Sequence, residues 1–101
     1  MRLFDAGKET DMRYVITENR IVYEDEDGKV LALQDFPAVD DTTVDVCHTE
    51  VDGSLQGQGI AGKMTELAVV YLKNQGKKII PSCSYVESWF EGKQEYGDLL
   101  K

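Results

Sequence analysis

The run Gln56, Gly57, Gln58, Gly59, Ile60, Ala61, Gly62 carries the most specific chemistry in this sequence. Gly57, Gly59, Ala61 and Gly62 have small side chains or none, so main-chain N–H groups can approach a ligand closely. A helical period starts at the same place. The first N–H groups of a helix have no internal acceptor and carry the positive end of its dipole. Capture of a phosphate or pyrophosphate is the chemistry this supports; a glycine-rich helix start with no ligand is the plainer alternative. A P-loop fails on spacing. Residues 57–62 match G-x-G-x-x-G literally, but a dinucleotide domain needs that motif after its first strand and an acid about 20 residues on. Here four strands are expected before the run, only 39 residues follow it, and residues 76–80 contain no acid.

The remaining reactive side chains are few. Cys47 and Cys83 are the two cysteines and His48 is the single histidine. Two cysteines are too few for a disulfide scaffold, and no C-x-x-C or zinc-ligand spacing occurs, so no metal is expected. Free thiols in a reduced, cytoplasmic setting are the default expectation.

These groups have to be positioned by strands and one helix. Residues 12–17 (MRYVIT) and 20–23 (RIVY) read as strands separated by a Glu18-Asn19 turn. Asp27-Gly28 is a type I′ hairpin signal, returning into a strand over 29–36 that Pro37 ends. The acids at 24–27 read as a solvated hairpin tip, and Asp40-Asp41 lies in a loop. Residues 42–51 (TTVDVCHTEV) alternate as one further strand, with Val44, Val46 and His48 on one side and Asp45, Cys47 and Thr49 on the other. A bulge would change that parity after Cys47. From Ile60, the positions Met64, Leu67, Ala68, Tyr71 and Leu72 form an apolar helical stripe, and Gly76 is suited to stop the helix. Residues 77–83 (KKIIPSC) form a strand interrupted by Pro81, which suggests an edge, a bulge or a splayed end. Residues 84–90 and 94–100 read as short helical turns. The piece from 42 to 83 is therefore a βαβ unit, with a right-handed crossover and parallel strands expected.

The whole chain of 101 residues is read as one domain, with residues 1–11 expected to be poorly ordered. It has 42% hydrophobic and 30% charged residues, the balance of a protein with a core. The net charge of −8 argues against nucleic-acid binding and against docking on an anionic membrane. Neither a signal peptide nor an apolar run long enough to span a membrane is expected. The acidity is one-sided: residues 1–53 hold 14 acids and five bases, net −9, and residues 54–101 hold five acids and six bases, net +1.

Residues 56–61 resemble the Q/R-x-x-G-x-G/A signature of the GNAT superfamily of N-acetyltransferases, with Gln56 where Arg is common. With His48-Thr49-Glu50-Val51, Pro81-Ser82-Cys83-Ser84-Tyr85-Val86 and Glu95-Tyr96, the chain from about Arg13 to Leu100 resembles the minimal, single-domain YidJ-like branch. The run 91–96 (EGKQEY) lacks the basic residue and the His-Pro that often precede Glu-Tyr there. The resemblance implies an α+β fold: a mixed five-stranded sheet with a central βαβ unit and short C-terminal helices. It also implies acetyl-coenzyme A as co-substrate, its pyrophosphate on Gln56, Gly57, Gln58, Gly59, Ile60, Ala61 and Gly62. The pantetheine arm would lie where the fourth and fifth strands part.

Acetyl transfer from a thioester to an amine needs a neutral amine, a path for its proton, donors for the oxyanion and an acid for the leaving thiolate. The family branch has a cysteine where Cys83 stands, which could take the acetyl group as a thiolate or simply line the pocket. His48 is the one imidazole able to activate it or act as base; a structural hydrogen bond is its alternative. Glu50 could act through a water, and Tyr85 or Tyr96 could donate to the leaving thiolate, with an exposed acid and packing aromatics as the plainer readings. Trp89 and Phe90 are read as covering the core or the substrate mouth. The expected function is acetyl-coenzyme A-dependent N-acetylation of an amine by a monomeric protein. The acceptor would be a small molecule or a protein, and cationic amines suit the acidic first half. The alternatives are a non-catalytic coenzyme A or acyl-CoA binding module and an interaction domain with no ligand.

Overall fold

The computed structural model describes residues 13–55 and 57–101. The order expected for residues 1–11, and Gln56, lie outside the described residues. Strand β1 (Arg13–Ile16) pairs antiparallel with β2 (Arg20–Glu24), and β2 with β3 (Val30–Asp35). The β1–β2 turn is closed by the Thr17 N–H on the Arg20 carbonyl at 2.8 Å. The β2–β3 turn differs from expectation. Among the described residues none other than glycine has positive φ, which excludes a type I′ turn with Asp27 at a central position. Instead the Gly28 N–H donates to the Asp25 carbonyl at 3.0 Å, Gly28 takes φ +82°, and the register shifts at Glu24. A G1 bulge of this kind places the left-handed backbone on glycine alone. The Asp25 carboxylate accepts the N–H groups of Asp27 and Lys29 at 2.9 and 3.0 Å, so part of the acidic tip braces the turn.

After Pro37, β4 (Ala38–Asp40) turns back on β5 (Thr43–Asp45). The Asp40 carboxylate accepts the Thr42 N–H at 2.8 Å, which tightens this turn. All three β4 residues are exposed, so no buried side marks this strand in the sequence. The single strand expected over 42–51 is divided. Its first part, β5, pairs parallel with β7 (Lys78–Ile80); its second, β6 (His48–Val51), pairs antiparallel with β3. The result is a four-stranded sheet in the order β1-β2-β3-β6 and a three-stranded sheet in the order β4-β5-β7. The expected α+β class and parallel βαβ unit are both present.

Helix α1 (Ile60–Asn74) crosses between the sheets and packs on β2, β3, β6 and α2 (Ser84–Glu91). Its stripe is buried at Ile60, Met64, Leu67, Ala68 and Leu72, with Tyr71 half-buried; Thr65 and Val69 are buried as well. It ends in a Schellman motif. The Lys77 N–H reaches the Leu72 carbonyl and the Gly76 N–H the Lys73 carbonyl, each at 3.0 Å, with Gly76 at φ +72°. Phe36, Ile21, Met64, Leu72, Ile79 and Val86 fill the centre of one core. After α2, a 3₁₀ helix (Gln94–Leu99) returns the chain to β7, where the Lys101 N–H donates to the Ile79 carbonyl at 2.9 Å.

Candidate active site

The site begins at the break between β5 and β6. The Val46 N–H donates to the Ile80 carbonyl and the Cys83 N–H to the Val46 carbonyl, both at 2.9 Å, continuing the parallel ladder. The next residue leaves it: the Cys47 N–H donates to the Asp35 carbonyl at 3.2 Å on β3. Cys47 and His48 thus both oppose Asp35, an extra residue in the β6 side of the ladder. Two consequences follow. The strands fork, with β6 following the four-stranded sheet and the chain beyond β7 turning into α2. The side-chain parity also flips: Val44 and Val46 are buried, but after Cys47 it is Thr49 and Val51 that turn inward, half-buried, and His48 and Glu50 that are exposed.

The edge of β6 that faces the fork is open. The Asp52 N–H donates to the Leu31 carbonyl at 2.8 Å, so Leu31 and Asp52 form a hydrogen-bonded pair of the antiparallel ladder. Alternation then directs the peptide groups of Thr49 and Val51 away from β3, into the fork.

A cleft of about 460 Å³ opens beside it, lined by Val51, Leu55, Gly57, Gly59, Ile60, Ala61, Gly62 and Tyr85. Gly57 and Gly59 adopt φ of +85° and +76°, the left-handed region that disfavours any side chain. Gly59 is the N-cap of α1, and among the described residues no side chain caps the helix. The first internal bond is the Lys63 N–H on the Gly59 carbonyl at 3.0 Å, so the N–H groups of Ile60, Ala61 and Gly62 have no intrahelical acceptor. A Cβ on Gly62 would stand 3.3 Å from the Tyr85 hydroxyl, so the missing side chain there lets Tyr85 close against the helix start. Gln58 is turned to other work: its side-chain N–H donates to the Ser54 carbonyl at 3.3 Å, bracing the loop.

Cys83 sits at the closed end of the fork as the N-cap of α2, half-buried. Its Sγ is 3.6 Å from the Thr49 hydroxyl. Burial pushes its ionisation up, but hydrogen bonding from the Thr49 hydroxyl and from the N–H groups of Val86 and Tyr85 outweighs that, and the thiol lies below its ordinary value. Cys47 is exposed, and its ionisation is pushed the other way by desolvation and by Asp45 and Asp35.

The expected partnership of His48 with Cys83 does not form. Thr49 faces Cys83, and its neighbours along the strand must face the other side. His48 instead meets Glu50 there, Nε2 to Oε2 at 2.6 Å, with the imidazole side chain 50% exposed. Tyr96 stacks on Trp89 with centroids 5.7 Å apart, and Phe90 is buried in the core; Tyr96 packs the C-terminal segment.

Two residues outside every sequence motif also touch this site. Gln34 is fully buried and donates through Nε2 to the hydroxyls of Thr49 at 3.1 Å and Thr65 at 2.8 Å. A polar residue at the buried parity of β3, between Ala32 and Phe36, is the signal that points to it. Thr65 is the matching polar residue on the buried side of α1. Among the described residues, no cluster of three or more His, Cys, Asp or Glu side chains is placed to hold a metal ion, and no helix is long and apolar enough to cross a membrane.

The sequence profile of GCN5-related N-acetyltransferases matches residues 13–99. A solution structure of a Staphylococcus aureus protein of GCN5-like N-acetyltransferase type superposes with a TM-score of 0.72 at 27% identity, covering 90% of this chain and 89% of that one. A comparison with curated proteins yields no match. The forked sheets, the uncapped glycine turn and the matched span of sequence agree, and the chain belongs to the GCN5-related N-acetyltransferase family.

Proposed function

We propose that this protein transfers an acetyl group from acetyl-coenzyme A to an amine, with Cys83 at the reacting centre. One observation carries the reading: a single path leads from the glycine turn to the thiol. Val51 lines the cleft with the glycines, and the next inward residue of β6, Thr49, touches Cys83. The residues present fit the co-substrate. The free N–H groups of Ile60, Ala61 and Gly62, beside Gly57 and Gly59, suit a pyrophosphate. The open edge of β6 offers amide partners to a pantetheine arm, and Tyr85 and Leu55 wall its entry.

Bound acetyl-coenzyme A supplies an activated thioester. Cys83, having lost its proton to water, attacks that carbonyl as thiolate and takes the acetyl group, and the coenzyme A sulfur leaves and takes that proton back from water. The acceptor amine then attacks the acetylated Cys83 and leaves it as the free thiol, the amine supplying the proton. The N–H groups at the start of α2 stabilise the thiolate before attack. The amine acceptor is a small molecule or a protein group.

Calorimetry with coenzyme A tests the cofactor half: saturable heat is expected, and its absence overturns the proposal. Thiol release from acetyl-coenzyme A over a panel of amines tests the transfer half. A second reading, coenzyme A binding without transfer, is favoured by the outward turn of His48, which leaves Cys83 with no imidazole partner. Saturable binding with no amine-dependent thiol release would select it.

A further inference from the structure

We propose that Thr49 is a positioning residue for Cys83, locked as a hydrogen-bond donor to its sulfur by the buried Gln34 amide. The inference rests on the reading of Cys83 as the reacting thiol and adds how the fold keeps that thiol reactive without histidine.

The direction of each hydrogen bond can be worked out from one end. Thr65 lies on α1, and its hydroxyl proton goes to the Ala61 carbonyl one turn back, at 2.8 Å. Its oxygen can therefore only accept from Gln34, at 2.8 Å, which requires the Gln34 amino group and not its carbonyl on that side. The second amino proton of Gln34 goes to the Thr49 oxygen at 3.1 Å. With an acceptor site of Thr49 so occupied, its own proton is free for the neighbour at 3.6 Å, the Cys83 sulfur. A neutral thiol can donate to the Thr49 oxygen, but a thiolate accepts from the Thr49 hydroxyl. The ionised form thus gains the stronger, charge-assisted bond.

The arrangement has a cost that packing alone does not explain. Gln34 is completely buried, and among the described residues its Oε1 has no hydrogen-bond partner. An apolar side chain of similar size would avoid that loss. A buried amide that leaves its own carbonyl unpaired, yet serves two hydroxyls, breaks a local rule of core design where a site needs orientation. Among the described residues, the groups that lower the Cys83 thiol are the Thr49 hydroxyl and the N–H groups of Val86 and Tyr85. The ionisable group coupled to it in charge is Cys47, between β5 and β6, a thiol held neutral. Hydrogen bonding is then what lowers its pKa, against the burial that raises it.

The test is the pH dependence of Cys83 alkylation by iodoacetamide, in a Cys47→Ser background so that one thiol is read. Thr49→Val keeps the shape and removes the hydroxyl. Its midpoint is expected to rise by roughly one to two pH units, the size of a hydrogen bond to a charged group. Thr49→Ser should restore the original midpoint, and Gln34→Leu should raise it in part, because Thr49 loses its orientation. An unchanged midpoint in Thr49→Val, with its thermal melt intact, would overturn the proposal. If Thr49→Val does not fold, the comparison of Thr49→Ser with Gln34→Leu decides: equal midpoints for Gln34→Leu and the parent sink it. Coenzyme A calorimetry on the parent is a separate readout, so failure of the acetyltransfer reading leaves the thiol measurement interpretable, and the reverse.

Discussion

Cys83 and His48 are close in type to a nucleophile and its base, yet they stand on opposite sides of one strand. That contrast makes a two-sided prediction. Cys83→Ala should lower amine-dependent acetyl transfer by about a hundredfold or more, the scale on which positioned groups contribute to catalysis. His48→Ala should leave turnover unchanged, and its exposed position limits any stability change to about 0.5 kcal/mol. Steady-state thiol release measures both. Equal loss in the two variants would restore the pairing that the strand parity removes. Residue chemistry also sets a limit at high pH. Tyr14 is buried, and burial together with the neighbouring Tyr23 pushes its phenol up to about 12 from an ordinary 10.0. The folded state holds that proton more tightly than the unfolded chain. Its contribution to stability is therefore complete below pH 10 and is lost as pH rises towards 12. Denaturant midpoints should fall across this window, and Tyr14→Phe should reduce the fall.

At the scale of elements, two glycines with nearly the same backbone do different jobs. Gly59 starts α1 at φ +76° and Gly76 follows its end at φ +72°. Neither has an atom within 4 Å of an added Cβ, so replacing either with Ala adds backbone strain without a clash. The strain is about 1–2 kcal/mol in each case. Gly59→Ala and Gly76→Ala should therefore lower the melting temperature to a similar degree. Only Gly59→Ala should also weaken coenzyme A binding, because only that glycine shapes the cleft. Calorimetry beside thermal melts separates the two effects. Equal affinities in the two variants would show that the start of α1 does not hold the ligand.

For the whole molecule, the fork depends on β5 and β7 being clamped below it while β6 leaves. Ile79 is the fully buried centre of that clamp. It stands opposite Val44 in the parallel pair and is bridged on its other side by Leu100. Ile79→Ala should cost about 2–5 kcal/mol, the usual loss for a large buried aliphatic residue. Chemical denaturation measures it, and a cost below 1 kcal/mol would mean the clamp can collapse around the cavity. The charge asymmetry has a counterpart at this scale. The net +1 half contributes α1 and the glycine turn, and the acidic half contributes β1 to β6. On the proposed reading, the anionic co-substrate would meet main-chain dipoles in the less acidic part of the chain.

Much of this was legible in the sequence, because the signals were local. The helical stripe from Ile60 to Leu72, the glycine that ends it, the hairpin strands and the small residues at 57–62 each follow from side-chain size, period and backbone freedom. The resemblance of residues 48–51, 56–61 and 81–86 to one superfamily agrees with the family match over residues 13–99. Other features depended on what the chain meets across space. The one alternating run over 42–51 contains no glycine or proline to mark its division. It breaks at Cys47 because that N–H finds the Asp35 carbonyl on β3 instead of continuing beside β7. That one extra residue in the ladder opened the fork, turned His48 outward and brought Thr49 to Cys83. Gln34 and Thr65, 31 residues apart, meet only when α1 lies across β3. The sequence determined the hairpin strands, the helix α1 and the glycine turn at its start. Tertiary structure decided which side chains share the site, since strand parity is fixed by pairing with a distant partner.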